Sequence, residues 1–95
     1  MKTIVKCKLS LEGRHDVSVP NGSVALSAGF DSSGDLFVWV MVDMEMERVS
    51  MPVYVYQDAG DLNISQEAAD GRYLSTAQIT GRDSLVFHVF VGAGF

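Results

Sequence analysis

Apolar residues recur at every second position in seven short runs, and clusters of turn-forming residues separate the runs. A period of two marks a strand, because successive side chains point to opposite faces. The pattern predicts strands over Lys2–Leu9, Asp16–Val19, Val24–Phe30, Leu36–Asp43, Arg48–Gln57, Arg72–Thr80 and Leu85–Val91. Pro20-Asn21-Gly22, Asp31-Ser32-Ser33-Gly34, Met44–Glu47 and Gly81-Arg82-Asp83 supply turns, using proline's fixed φ and the tolerance of Asn and Gly for positive φ. Only Ser65–Asp70 offers a helical turn, with Ser65 as its N-cap and Gly71 as its stop. The fold class expected is all-β: about seven antiparallel strands forming meanders in a small sandwich or partly closed barrel, as one domain over residues 1–95. The tail Gly92-Ala93-Gly94-Phe95 is expected to fray.

Three strands are apolar on both faces. Leu36, Val38, Val40 and Val42 form one row, backed by Phe37, Trp39 and Met41. Val49, Met51, Val53 and Val55 are backed by Tyr54 and Tyr56, and Leu85, Phe87, Val89 and Val91 by Val86, His88 and Phe90. One face serves the core, and the other needs a cover because soluble monomers seldom expose large apolar patches. Self-association is the simplest cover, since ~600 Å² of apolar surface at ~25 cal/mol/Å² corresponds to ~15 kcal/mol before association costs. A closed barrel is the alternative. A homo-oligomer is therefore expected.

Composition narrows the partners. The chain has 95 residues, 47% of them hydrophobic, and a net charge of −5, with a pI near 4.7. That balance argues against polymeric nucleic acid. No run approaches the ~18 apolar residues of a membrane span, and Lys6 and Lys8 interrupt any leader-like stretch, so a cytoplasmic setting and no membrane partner are expected. Cys7 is the single cysteine and alternates with Val5 and Leu9 as a small core residue. His15, beside Asp16 at a turn, reads as solvated, and His88 lies within a strand. These residues match no zinc spacing, and Asp58-x-x-Asp61-x-Asn63 fits no calcium loop. Gly-x-Ser-x-Gly and phosphate-loop motifs are missing, so no enzyme, metal or cofactor is expected.

Aromatic rings can stack on a nucleobase and cations can neutralise phosphate. The candidate ligand-binding residues are Lys6, Arg48, Tyr54, Tyr56, Arg72, Tyr73 and His88, with Arg72-Tyr73 preferred because a long loop enters a strand there. For Tyr54 and Tyr56 an interface rim is the alternative role, and for Trp39 and Phe90 the core or an interface.

Several segments carry a resemblance: Lys2-Thr3-Ile4-Val5-Lys6, Val19-Pro20-Asn21-Gly22 followed by Leu26 and Ser27, Leu36-x-x-Trp39-x-x-Val42-Asp43, Arg72-Tyr73-Leu74-x-Thr76, and the closing Leu85-Val86-Phe87-His88-Val89-Phe90. The chain resembles a family of small uncharacterised β-rich proteins encoded by bacteriophages and prophages. It departs from that pattern after the fifth strand, where Asp58-Ala59-Gly60 replaces a Thr-Gly pair. The resemblance implies a non-enzymatic binding protein acting in the host cytoplasm against host defence, in its most specific form an oligomeric sponge for a cyclic or signalling nucleotide. The alternatives are an inhibitor docking on a host defence protein and a structural component of the virion.

Overall fold

The computed structural model describes residues 1–60, 62–79 and 85–95. The expected turn at Gly81-Arg82-Asp83, and Asp61, lie outside them. The elements are β1 (Lys2–Leu9), β2 (Gly13–Pro20), β3 (Val24–Phe30), β4 (Leu36–Asp43), β5 (Arg48–Gln57), α1 (Gln66–Asp70), β6 (Arg72–Ile79) and β7 (Leu85–Val91). They form a three-stranded sheet in the order β1-β4-β3 and a four-stranded sheet in the order β2-β5-β7-β6, with antiparallel pairing throughout. The result is an all-β sandwich rather than a closed barrel. Only β3–β4 and β6–β7 pair as sequential neighbours; the β1–β2, β2–β3 and β4–β5 connections cross between layers, and the β5–β6 connection skips β7 within its own sheet.

Inward rows from both sheets make the core. Leu36, Val38, Val40 and Val42 of β4 face Met51, Val53 and Val55 of β5 and Phe87, Val89 and Val91 of β7, and each of these is at most 2% exposed. Fully burying one such side chain contributes roughly 1.5–3 kcal/mol. Phe30 meets Phe87 edge-on, with ring centroids 5.7 Å apart.

Three sequence expectations are corrected here. β2 begins at Gly13 rather than Asp16, because all of its residues pair with β5 from Arg48 to Val55; Gly13, Arg14 and His15 carry no apolar alternation to announce this. His15 is therefore not a solvated turn residue. It lies within β2 opposite Val53, and its Nε2 is buried with no hydrogen-bond partner in the structure described. The tail does not fray either. The Gly92 N–H donates to the Pro52 carbonyl at 2.9 Å, the Ala25 N–H donates to the Phe95 carbonyl at 3.0 Å, and Phe95 packs against the core.

Side chains close one flank of the sandwich. β3 and β6 belong to different sheets and share no strand ladder. Ser75 bridges them: its hydroxyl accepts from the Ala28 N–H at 3.0 Å and donates to the Ala28 carbonyl at 2.8 Å. Both strands shift register beside this contact, β3 between Ala25 and Ser27 and β6 between Tyr73 and Ser75. Such bulges re-aim the backbone and leave groups that the serine satisfies.

Gly71 carries the chain from α1 into β6 at a point where a side chain would collide with the Val91 carbonyl oxygen and crowd Gly92. Gly71→Ala is expected to destabilise the fold by about 1–3 kcal/mol, seen as a lower urea midpoint at unchanged slope. In the β3–β4 hairpin, the Ser33 hydroxyl and then the Lys6 amine hold the Asp31 carboxyl down to about 2 from 3.8. Its folded pKa is depressed, so the stabilisation is complete above 3.8 and is lost as pH falls through about 2. The stability difference between wild type and Asp31→Asn should shrink across that interval in acid titrations followed by circular dichroism.

Candidate functional site

Alternation along β5, β6 and β7 sends Tyr54, Tyr56, Tyr73, His88 and Phe90 to the outer face of the four-stranded sheet. Phe90 meets Tyr73 and Tyr56 edge-on, at 5.2 and 5.9 Å between centroids. α1 lies over this cluster and buries Ala68 completely. The tyrosine hydroxyls hold the helix in place. Tyr54 donates to Glu67 at 3.3 Å, while Tyr56 donates to the Ser65 hydroxyl at 3.1 Å and accepts from the Ser65 N–H at 3.2 Å. Ser65 in turn caps α1 by accepting from the Ala68 N–H. Arg14 reaches across from β2 to pair with Glu67 at 2.9 Å. Burial raises the Tyr54 phenol above its ordinary value, an effect that Arg14 opposes.

At the far end of the same face, His88 bridges a carboxylate and two hydroxyls. Its Nε2 lies 3.3 Å from Asp58 and its Nδ1 3.1 Å from the Thr76 hydroxyl. Tyr73 lies 3.4 Å from that Nδ1 and shares a short hydrogen bond with Thr76. Acid, imidazole and hydroxyl in series is the order used to activate a nucleophile. Here both hydroxyls compete for one nitrogen, and the grooves at Arg72, at Phe30 and Asp31, and at Gly13 and Leu62 are lined by neither His88 nor Thr76. The array ties the loop at Asp58 to β6 and β7. Among the described residues, no three His, Cys, Asp or Glu side chains converge on a metal position.

Arg72 points elsewhere. Its register partner is Val91, whose side chain is inward, so Arg72 reaches toward β3. Nη2 donates to the Ala25 carbonyl at 2.5 Å and to the Phe95 carbonyl at 2.8 Å. Both bonds use the same nitrogen, and among the described residues the Nε and Nη1 hydrogens meet no acceptor. The guanidinium lines an open groove of about 720 Å³ walled by Val24, Ala25, Leu26, Gly71 and residues 93–95. That volume lies in the range of ~300–1,000 Å³ common for small-molecule sites. Its lining joins one cation to apolar side chains, Leu26 being 42% exposed.

The seven candidate residues fall into separate places. Tyr54, Tyr56, Tyr73 and His88 share one outer face, but the hydroxyls of Tyr54 and Tyr56 are engaged by α1 and Ser65. Arg72 lines the groove, on the opposite side of β6 from Tyr73. Arg48, at the start of β5, donates to the Ser18 hydroxyl at 3.1 Å and the Ser18 carbonyl at 2.8 Å. Lys6 lies on the outer face of the other sheet, paired with Asp31 at 3.2 Å and seated 4.3 Å from the centre of the Phe37 ring. The tyrosines and the three cations therefore do not converge within one chain. The groove's other walls, Leu26 and Phe95, were not anticipated. An apolar residue following Gly-Ala-Gly is the one sequence signal that could have marked the tail as an anchor.

A family model described as a domain of unknown function (DUF7352) matches residues 1–94. No curated protein and no solved structure matches the chain.

Tyr56→Phe removes both bonds to Ser65 and keeps the ring packed on Phe90. We expect a loss of about 1 kcal/mol and faster amide exchange across Ser65–Ala68, with β4 and β5 amides unchanged.

Proposed function

We propose that the chain, which belongs to the family of this domain of unknown function, is a non-enzymatic binding protein that captures a small nucleotide in the Arg72 groove. The observation that carries this reading is a guanidinium, with donors unused among the described residues, at the end of an open groove of about 720 Å³ that is otherwise largely apolar. Phosphate suits the charge of the guanidinium, whose Nε and Nη1 groups can each donate a single hydrogen bond to a phosphate oxygen. The nucleobase lies against Leu26 and Phe95. Gly71 and Gly94 keep that wall low and let a ligand approach the backbone. Sequestration of this kind needs no proton transfer and makes no use of the His88 array.

The resemblance to phage-encoded proteins supplies the setting. There, an oligomer that withdraws a cyclic or signalling nucleotide from the host cytoplasm blunts a host defence. A host protein recovered with the chain, in place of a nucleotide, would favour the inhibitor reading, and its recovery from purified particles would favour a virion component.

A panel of linear and cyclic signalling nucleotides tests the proposal by thermal shift. A ligand at about 100 times its Kd adds ~2.7 kcal/mol, which raises Tm by on the order of 10 °C in a domain of this size. Ala93→Glu places a carboxylate in the groove at an exposed position and is expected to abolish the shift without lowering the Tm of the free protein. No shift with any nucleotide, or an undiminished shift in Ala93→Glu, overturns the assignment.

A further inference from the structure

We propose that the free edge of β1 is a docking site for an extended partner segment in which acidic residues alternate with apolar ones, taken up as a fourth strand of the smaller sheet. The inference goes beyond the nucleotide reading and does not depend on it, because this edge lies on the flank opposite the Arg72 groove.

The edge strands are β1 and β3 in one sheet and β2 and β6 in the other. Three of them are joined or blunted. Ser75 ties β6 to β3, where the Phe95 carbonyl also accepts from the Ala25 N–H. β2 ends on Pro20, which has no N–H, and Arg48 donates to the Ser18 carbonyl. The outward backbone groups of β1 follow from the ladder, since the N–H and C=O of one strand residue point to the same side. Those of Ala25 and Ala28 point away from β4. Their partners Val40 and Val38 therefore bond to Val5 and Cys7. The N–H and C=O groups of Ile4, Lys6 and Lys8 are left on the free edge, and among the described residues none of them has a hydrogen-bond partner.

The side chains beside this edge define what fits it. The smaller sheet has three strands against four, and the shortfall lies on this flank because β3 and β6 meet on the other. Near it the inward residues Val5, Cys7, His15 and Val17 stay half-buried, whereas Val53 and Met51, the register partners of His15 and Val17, are fully buried. The apolar row of an added strand covers the half-buried ones. On its outer side that strand runs along Lys2, Ile4, Lys6 and Lys8, a row that holds every lysine of the chain. Directly opposed side chains lie about 4.5–5.5 Å apart, within reach of a carboxylate. The Lys6–Asp31 and Lys8–Asp35 pairs lie at the surface and contribute little that a new partner has to offset. The same row turns away a second copy. Antiparallel β1–β1 pairing centred on Ile4 sets Lys2 against Lys6, and pairing centred on Lys6 sets that lysine against itself. Like charges directly opposite are destabilising, so the partner is an acidic strand.

Amide NMR of the full chain tests the assignment with a blocked peptide alternating glutamate and valine, EVEVEVE, in which valine favours the extended form. A Kd on the order of 100 μM is expected for one short added strand. Binding should shift the Ile4, Lys6 and Lys8 amides and slow their hydrogen exchange about fivefold or more, with Asp16 and Ser18 on β2 unchanged. The lysine counterpart KVKVKVK should not bind. Ile4→Pro removes an edge donor that the β1–β4 ladder does not use and should abolish binding. The double variant Lys2→Glu with Lys6→Glu should weaken the glutamate peptide about tenfold and admit the lysine peptide, which decides the matter if the proline variant does not fold. Unmoved edge amides, an equal response of the wild type to both peptides, or an unchanged preference in the double variant overturns the proposal. So do shifts of the same amides with protein concentration alone, which assign the edge to a second copy. Ala93→Glu leaves peptide binding intact, so failure of the nucleotide panel and failure of the edge are read separately.

Discussion

The structure depends on two inward rows of small branched side chains meeting across the sandwich. Val38, Val40 and Val42 on one sheet and Val53, Val55, Val89 and Val91 on the other are at most 1% exposed. Their uniform size keeps the two layers evenly spaced, and Phe87, Leu36 and Met51 fill the remaining volume. Every other feature is arranged around that contact. Each sheet then has one face left over, and the treatment of those two faces differs.

On the four-stranded sheet the leftover face is resolved inside the chain. A helix of one turn and a half is too short to be stable alone, so three hydroxyls and an arginine hold it: Tyr54, Tyr56 and Ser65, with Arg14 on Glu67. On the three-stranded sheet nothing comparable exists among the described residues. All three lysines of the chain lie on this face, two of them paired with Asp31 and Asp35. Exposed pairs of that kind contribute little stability, but they frame the apolar rows with polar groups. That distribution is typical of a binding surface.

The alternation made six strands legible close to their observed limits, together with the inward and outward sides of β4, β5 and β7. Period-two burial is a strong signal wherever one face is entirely apolar. It was silent for Gly13-Arg14-His15, where the pairing is imposed by β5 and not by the residues themselves. It could not report the cross-sheet bridge of Ser75, because a serine at a bulge looks like any other polar position. The candidate site was less legible for the same reason. A list of tyrosines and arginines does not say which side of a strand each one leaves from, and Arg72 and Tyr73 leave from opposite sides. The anchoring of Phe95 depends on the Ala25 N–H and Arg72, both remote in sequence.

That anchoring bears on how the protein is handled. Because the carbonyl of Phe95 is gripped from two sides, any peptide appended after it must emerge through the rim of the groove. Residues that follow Phe95, native or appended, would thus stand in the way of whatever the groove receives. Met1, by contrast, is fully exposed, and a label joined there starts out in solvent.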